Sequence, residues 1–197
     1  MSEEYAGAMN RDAKELLDLS LTTVTRMQDL VEDILRYTRI VGQEAELSVV
    51  DLNEIVAGVL GDLAGEIKES GAKVDTGPLP SVMGHANQLR MLFRNLVSNA
   101  LKFRKPGTSP TVEIKDASVP TDRLCTIAVT DDGIGIPAES QDRIFTMFQR
   151  LHLQDDYGGT GLGLAICRRV AISHEGDISV RSEPGQGSTF TVSLKRS

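Results

Sequence analysis

The feature that most limits what this chain can fold into is a glycine cluster directly in front of an apolar helical pattern. Four of the six residues from Gly158 to Gly163 are glycines, and the cluster opens a predicted helix over Gly161–His174. The first N–H groups of a helix have no partner inside the helix, and the helix dipole favours an anion beside them. The segment Gly158–Leu164 therefore predicts a phosphate-binding turn.

Two widespread phosphate-binding folds do not fit this cluster. It lacks the Gly-Lys-Ser/Thr ending of a P-loop. It also lacks the surroundings of the dinucleotide fingerprint, because no parallel strand–turn–helix unit with a later acid for the ribose contains it. The identity of the phosphate-bearing ligand must therefore be inferred from the neighbouring motifs.

Two further glycine motifs lie at the ends of predicted strands. In Asp131–Pro137 the glycines let the backbone approach a flat ligand, and the Asp131 carboxylate can accept a hydrogen bond from an exocyclic amine. A plain strand-ending Asp-Gly turn is the alternative interpretation of this motif. The motif Gly185–Phe190 lies between the last two predicted strands and by itself indicates a hairpin turn.

A predicted helix over Ala86–Arg104 carries three polar side chains in one row. Asn95, Asn99 and Lys102 are spaced at i, i+4 and i+7, so they share a helix face, and the opposite face is apolar. An amide oxygen suits Mg²⁺ and an ammonium group suits phosphate. A solvated outer face explains the same row equally well.

An aromatic pair lies in the loop-rich stretch between Asp131 and Thr160. Phe145 and Phe148 belong to the segment Ile144–Leu151, which includes a short predicted helical piece near Ile144. The pair indicates a lid over a site, anchored by both rings.

Short strands and amphipathic helices make up the main part of the chain. The helices are predicted at Leu52–Ser70, Ala86–Arg104 and Gly161–His174, and the strands at Leu47–Asp51, around Val74, around Val82, and at Thr111–Ala117, Leu124–Thr130, Gly176–Arg181 and Ser188–Leu194. Mostly short links predict an α+β fold, a two-layer α/β sandwich with three helices on one face of a mixed sheet. A polar linker over Gly42–Glu46 predicts a boundary between an N-terminal element, residues 1–42, and a main domain, residues 47–197.

In front of that domain, Asp12–Val41 is predicted to form one long helix. Its apolar or core-compatible residues recur in steps of four and three, at Leu16, Ser20, Thr23, Met27, Leu30, Ile34, Tyr37 and Val41, with a flanking row at Leu17, Val24 and Val31. A stripe this wide favours a helical bundle with a partner chain. A helix packed on its own domain is the alternative.

Composition excludes several classes of partner. The formal net charge of −7 over 197 residues makes the chain a poor candidate for coating nucleic acid or an anionic membrane. No apolar run approaches the ~20 residues of a spanning helix, so we expect no membrane contact by this segment and a cytoplasmic location. Cys125 and Cys167 lack metal-ligand spacing and are expected to be buried thiols.

Taken together and in this order, the motifs resemble the catalytic ATP-binding domain of sensor histidine kinases. The N, G1, F, G2 and G3 boxes of that family all have counterparts here, in this order: Phe93–Phe103, Asp131–Pro137, Ile144–Leu151, Gly158–Leu164 and Gly185–Phe190. The strings Asn87–Phe103 and Phe148–His152 resemble the phytochrome-type branch most, and the resemblance runs from about Tyr5 to Leu194. It implies the histidine-kinase-type ATPase fold, with ATP and Mg²⁺ as cofactors.

The resemblance also implies a role for each matching residue. Asn99 would ligate Mg²⁺, Asn95 would lie near the metal and phosphates, and Lys102 would contact phosphate, with Arg104 as a second cation. Asp131 would read the adenine amino group. The other implied nucleotide contacts are Gly133, Gly135 and Ile136 along the base, Phe148 in the lid, Gly159, Thr160, Gly161, Leu162, Gly163 and Leu164 at the phosphates, and Gly187 and Thr189 on the adenine side.

Asn95 narrows the chemistry within this ATPase superfamily. The gyrase-like, chaperone-like and anti-sigma members resemble one another in placing a Glu at this position as the general base. An amide cannot accept a proton at neutral pH, so activation of water or serine is poorly supported here. A neutral imidazole needs no such help near pH 7. Asn95 and Lys102 are therefore the expected catalytic residues of a protein histidine kinase.

The acceptor histidine that the family requires is not recognisable in this sequence. His85, His152 and His174 are the only histidines, and each is expected to be a surface or capping residue. Ser2–Gly7 resembles the end of the first helix of the family's dimerising hairpin, so the acceptor is expected upstream of Met1. The chain is then expected to bind Mg-ATP without phosphorylating itself, with a response-regulator receiver domain and a second copy as partners. A degenerate, kinase-like module that docks a response regulator is the alternative.

Overall fold

The computed structural model describes residues 11–42, 47–119, 123–149 and 160–197. Its helices are α1 (Arg11–Gly42), α2 (Leu52–Asp62), α3 (Ala64–Ser70), α4 (Ala86–Lys102) and α5 (Gly163–Ser173). Its strands are β1 (Ser48–Asp51), β2 (Lys73–Thr76), β3 (Ser81–Gly84), β4 (Thr111–Asp116), β5 (Leu124–Asp131), β6 (Asp177–Glu183) and β7 (Gly187–Lys195). Two short 3-10 turns, Ala138–Ser140 and Arg143–Phe145, lie between β5 and α5.

The sheet is mixed, as the sequence predicts. Five strands lie in the order β2-β4-β5-β7-β6, with β2 parallel to β4 and the other neighbours antiparallel. The strands β1 and β3 form a separate antiparallel pair. Buried residues alternate along β7 at Ser188, Phe190, Val192 and Leu194, which is the pattern of a sheet covered on one face. The predicted α+β sandwich is confirmed.

The core lies between this sheet and the helices. From α4, Leu92, Phe93 and Leu96 are buried, and from α5, Ile166 and Val170 join them. Each large aliphatic or aromatic side chain buried in this way stabilises the fold by about 1.5–3 kcal/mol. Cys125 and Cys167 are buried and free, as predicted. The apolar side of α4 is therefore fixed on the core, and its polar row faces away from it.

Two helix boundaries differ from the prediction. The predicted helix Leu52–Ser70 breaks at Leu63, whose backbone leaves the helical region (φ −92°, ψ 7°) while its side chain is fully buried. Glycines at 61 and 65 weaken the helix on both sides of the break. The helix predicted to open at Gly161 begins at Gly163, because Gly161 has φ +75°. The described part of the domain therefore has four helices where three were predicted.

The long N-terminal helix is present, and most of its apolar stripe is exposed in the single chain. Leu30 and Tyr37 pack against the core. The apolar side chains between 42% and 65% exposed are Leu16, Leu17, Leu21, Val24, Met27, Val31, Ile34 and Leu35. The linker residues 43–46 and the resemblance at Ser2–Gly7 lie outside the described residues. No helix in the described part of the chain combines the length and apolarity needed to cross a membrane.

Candidate functional site

The polar row of α4 faces the start of α5. Asn95, Asn99 and Lys102 are all half-buried, and the Nδ2 atom of Asn95 donates a hydrogen bond to the carbonyl oxygen of Gly163 at 3.2 Å. The Lys102 ammonium lies 4.7 Å from the centre of the Phe103 ring. The N-box row and the glycine-rich helix start, 68 residues apart in sequence, are therefore in direct contact.

The start of α5 retains donors for a ligand. Leu162 occupies the N-cap position and provides no side-chain cap. Its own N–H donates to the Thr160 hydroxyl at 3.2 Å. Among the described residues, no side chain caps the N–H groups of the first helical turn. An uncapped helix start favours an anion there. Gly158 and Gly159, predicted to belong to this turn, lie outside the described residues.

The carboxylate predicted to recognise the base lies at the end of β5. The Oδ1 atom of Asp131 accepts a hydrogen bond from the Gly133 N–H at 2.9 Å. Burial raises the pKa of the Asp131 carboxyl, while the N–H groups of Gly133 and Ser188 act in the opposite direction. A partly buried carboxylate with spare lone pairs is suited to accept from an exocyclic amine.

Asp132 has a different role from its neighbour. Its carboxylate accepts the Thr111 N–H at 2.8 Å, which joins the loop to the start of β4. The same loop also contacts the C-terminal end of α4, because the Ile134 N–H donates to the Phe103 carbonyl at 3.0 Å. The helix α4 therefore contacts the G2 segment near Asn95 and the G1 loop beyond its C-terminal end.

The G1 loop and the turn between β6 and β7 are packed backbone against backbone. Gly135 has φ +73° and Gly187 has φ +91°. A Cβ atom at Gly135 would overlap the carbonyl of Glu183, and one at Gly187 would overlap the carbonyl of Asp131. The Gly185 N–H also donates to the Ile134 carbonyl at 2.7 Å. Glycine is required at both positions because of conformation and of space.

Two side chains that the sequence did not reveal tie these segments together. The Ser182 hydroxyl lies 2.8 Å from the Ile136 nitrogen and 2.6 Å from the Gly187 carbonyl oxygen. The Gln141 amide donates to the carbonyls of Ile136 and Ser182. On the neighbouring strands the hydroxyls of Thr130 and Thr189 lie 3.1 Å apart. A lone Ser in a strand and a lone Gln in a loop form no pattern that sequence reading detects.

The aromatic pair behaves differently from the prediction. Phe145 is buried and packs edge-on against Phe190, with ring centres 6.5 Å apart. Phe148 is 56% exposed at φ +63°, and its N–H donates to the Gly161 carbonyl at 3.1 Å. The prediction of two anchoring rings is therefore wrong for Phe148, because its backbone rather than its ring makes the contact.

The histidines also differ from the prediction. His174 ends α5, as a capping residue would, but it is fully buried rather than at the surface. Its Nδ1 atom lies 2.7 Å from the Val170 carbonyl, and its Nε2 atom accepts the His85 N–H at 2.9 Å. Burial lowers the pKa of His174. This ring joins the end of α5 to the residue that precedes α4, and His152 lies outside the described residues.

The residues that the structure brings together fit the group that the resemblance implies. A site for a base that carries phosphates needs close loops, an acceptor for the base and donors for the phosphates. The structure provides these in Gly135 and Gly187, in the partly buried Asp131 carboxylate and in the uncapped start of α5. The half-buried amide of Asn99 and ammonium of Lys102 provide a hard oxygen ligand and a cation on the phosphate side.

Comparison with known proteins agrees with this geometry. The family described as histidine kinase-, DNA gyrase B- and HSP90-like ATPase matches residues 84–197. The chain is 42% identical over 195 residues to the phytochrome-like protein Cph1 of Synechocystis sp., covering 96% of this chain and 25% of that protein. It is 34% identical over 175 residues to the sensor-like histidine kinase SenX3 of Mycolicibacterium smegmatis, covering 86% and 44%.

Solved structures show the same architecture. Full-length ShkA in complex with AMPPNP matches with a TM-score of 0.71 at 26% identity, over 94% of this chain and 39% of that one. The chain spans about a quarter of the length of the curated phytochrome relatives that it matches.

Proposed function

The chain belongs to the histidine kinase-, DNA gyrase B- and HSP90-like ATPase family, as the ATPase domain of a sensor histidine kinase, and from that premise we propose that it binds Mg-ATP and donates the γ-phosphoryl group to a histidine. The observation that carries the proposal is the hydrogen bond from Asn95 to Gly163. It places the amide row of α4 beside the uncapped start of α5, where the phosphates are expected.

Each proposed role follows from the chemistry of a group and from its place. Asp131 accepts from the adenine amine, since its carboxylate lies beside the N–H groups of Gly133 and Ser188, where the G1 loop meets β7. The first N–H groups of α5 donate to phosphate oxygens. Asn99 offers an amide oxygen to the metal, and Lys102 offsets the phosphate charge. Bound Mg²⁺ neutralises charge on the triphosphate, so positioning and electrostatics account for the catalysis.

Asn95 is proposed to position the site rather than to act as a base. Its Nδ2 donor holds the Gly163 carbonyl, and an amide accepts no proton at neutral pH. The transfer therefore relies on the nucleophilicity of the acceptor imidazole. His174 is buried and bonded through both ring nitrogens, so it is not a candidate acceptor. An acceptor on another segment or chain is proposed instead.

A second copy of the chain is proposed to pack on α1. Its apolar stripe, exposed in the single chain, includes Val24, Met27 and Val31 at helical spacing. Light scattering of the chain and of a Met27→Lys variant tests this proposal, and a dimer is expected only for the first. A response-regulator receiver domain is the proposed phosphoryl acceptor downstream.

Calorimetric titration with ATP, with and without Mg²⁺, tests the nucleotide site. Micromolar to millimolar binding that strengthens with Mg²⁺ is expected. Asn99→Ala should remove the effect of Mg²⁺, and Asn87→Ala, an exposed amide in the first turn of the same helix, should leave it unchanged. An absence of binding to the unchanged chain would favour a docking module.

Labelling with γ-³²P-ATP tests the phosphoryl acceptor. The chain alone is expected to incorporate little acid-labile label. A longer chain that also contains the dimerising hairpin with the acceptor histidine is expected to incorporate more. Strong acid-labile labelling of the chain alone would refute the view that its acceptor lies elsewhere.

A further inference from the structure

We propose that Ser182 and Gln141 are positioning residues that fix the G1 loop against the β6–β7 turn at the proposed adenine end of the site. The inference rests on the proposed function, because it gives these residues a role at the same nucleotide site. Neither side chain is placed against the nucleotide itself. Both act through the backbone of Ile136 and Gly187, the two segments proposed to lie along the base.

The Ser182 hydroxyl is saturated by its neighbours. Its single proton is donated to the Gly187 carbonyl at 2.6 Å, because a carbonyl can only accept. One lone pair accepts the Ile136 N–H at 2.8 Å. The second is 3.0 Å from the Ser188 hydroxyl, which must then be the donor. One donor and two acceptor sites are thereby all used, so the hydroxyl admits only one arrangement.

Gln141 reinforces the same joint from the loop. Its Nε2 group carries two protons, and it donates to the Ile136 carbonyl at 3.1 Å and to the Ser182 carbonyl at 2.7 Å. The N–H and the C=O of Ile136 are therefore both bound to side chains of this pair. The loop lacks regular secondary structure here, so these contacts take the place of a strand ladder.

The position of Ser182 in the sheet gives the joint its effect. Ser182 lies on β6, the edge strand, directly opposite Ser188 on β7. The next residue along, Glu183, offers the carbonyl that a Cβ at Gly135 would overlap. Loss of the hydroxyl removes two of the hydrogen bonds that hold the loop on the edge strand and the turn, while the Gln141 bonds remain. It removes no group that is proposed to touch the nucleotide. The G1 loop then shifts more easily against the β6–β7 turn, and contact between Asp131 and the adenine amine becomes less frequent.

The test compares ATP with purine riboside triphosphate, which lacks the exocyclic amine. For Ser182→Ala we expect ATP affinity to fall about tenfold and that of the analogue about twofold, so the preference for ATP falls about fivefold. A general loosening of the fold would weaken both ligands equally. Ser182→Thr keeps the hydroxyl and should restore most of the preference. Ser179→Ala, an exposed serine on the same strand, is the matched control and should change neither affinity.

Gln141→Ala provides an independent variant if Ser182→Ala does not fold. It should lower the preference for ATP in the same direction, since it frees the Ile136 carbonyl. An unchanged ratio of the two affinities in a folded Ser182→Ala or Gln141→Ala variant overturns the inference, whether both affinities stay the same or both fall by the same factor. Failure of the unchanged chain to bind either ligand refutes the proposed function instead, so the two failures are distinguishable.

Discussion

The two ends of the proposed nucleotide site are built in different ways. On the base side, the G1 loop is held at Ile134 and Ile136 by backbone and side-chain hydrogen bonds to Phe103, Gly185 and Ser182. On the phosphate side, Asn95 supplies one hydrogen bond of 3.2 Å to the start of α5. Phe148 joins that region through a backbone hydrogen bond to Gly161, and its ring is exposed.

This difference indicates how binding proceeds. On the base side the backbone is already fixed, so it loses little conformational freedom when a ligand binds. The phosphate side carries the exposed Phe148 and a helix start without a side-chain cap, so a bound ligand would add contacts there. We therefore expect the base side to determine selectivity and the phosphate side to respond to the ligand. The following experiments test that division, from the largest expected effect to the smallest.

A matched pair of glycine substitutions should show the greatest contrast. Gly135→Ala places a Cβ at φ +73° against the Glu183 carbonyl, and we expect a loss of about 3 kcal/mol in the free energy of unfolding. Gly163→Ala places a Cβ no closer than 3.7 Å to Asn95, in a helix that favours alanine. It should be neutral or stabilising by up to about 1 kcal/mol. Urea denaturation measures both, and equal losses would contradict the comparison.

Asp131→Asn should separate stability from recognition on the base side. Because the pKa of Asp131 is raised in the folded state, the ionised carboxylate costs stability as pH rises above its ordinary value. Asn keeps an oxygen for the Gly133 N–H and removes that charge. We expect a gain of about 0.5–1 kcal/mol in unfolding free energy and a loss of ATP affinity of about 100-fold.

Calorimetry and thermal unfolding of the same Asp131→Asn preparation check both halves of this prediction. Asp132→Asn is the control, since Asp132 binds the Thr111 N–H outside the proposed site. A larger loss of ATP affinity for Asp132→Asn than for Asp131→Asn would show that the wrong carboxylate had been assigned to the base.

Asn95→Ala tests the hydrogen bond from α4 to the start of α5 on the phosphate side. It removes the donor to the Gly163 carbonyl, and we expect ATP affinity to fall about tenfold with little change in stability. The preference for ATP over purine riboside triphosphate should stay as it is, in contrast to Ser182→Ala. Titration of both ligands measures this, and a lower preference in Asn95→Ala would mean that the two ends are not separate.

The sequence predicts the parts of this site better than their connections. The fold class, the amide row at Asn95 and Asn99 and the glycine motifs follow from periodicity and from the resemblance. The contacts of Ser182 do not follow, because a hydrogen bond between residues 46 positions apart depends on tertiary placement. The break at Leu63 is similar in origin, since burial of that side chain outweighed the helical pattern around it.

His174 shows the same limit and gives the prediction with the smallest expected effect. Helical spacing does not reveal that its ring joins Val170 to the His85 N–H, at the end of α5 opposite Gly163. Protonation would place a second N–H donor against the His85 N–H, and burial already lowers the pKa of His174 in the folded state. The unfolded chain then binds the proton first as pH falls, so the stabilising contribution is present above about pH 6.5 and is lost below it.

We expect the unfolding free energy to fall by on the order of 1 kcal/mol more between pH 7 and pH 5 in the unchanged chain than in His174→Gln. His85→Gln is the control for the neighbouring imidazole, and it should keep most of the pH dependence. Because this joint holds α5 against the start of α4, acid should also weaken ATP binding through the phosphate side. The preference for ATP over purine riboside triphosphate should then change little between the two pH values. A pH-dependent preference that His174→Gln abolishes would place His174 in control of the base side and would break the division between the two ends. A pH dependence that persists in His174→Gln would instead belong to the Asp131 carboxyl, whose pKa is raised by burial.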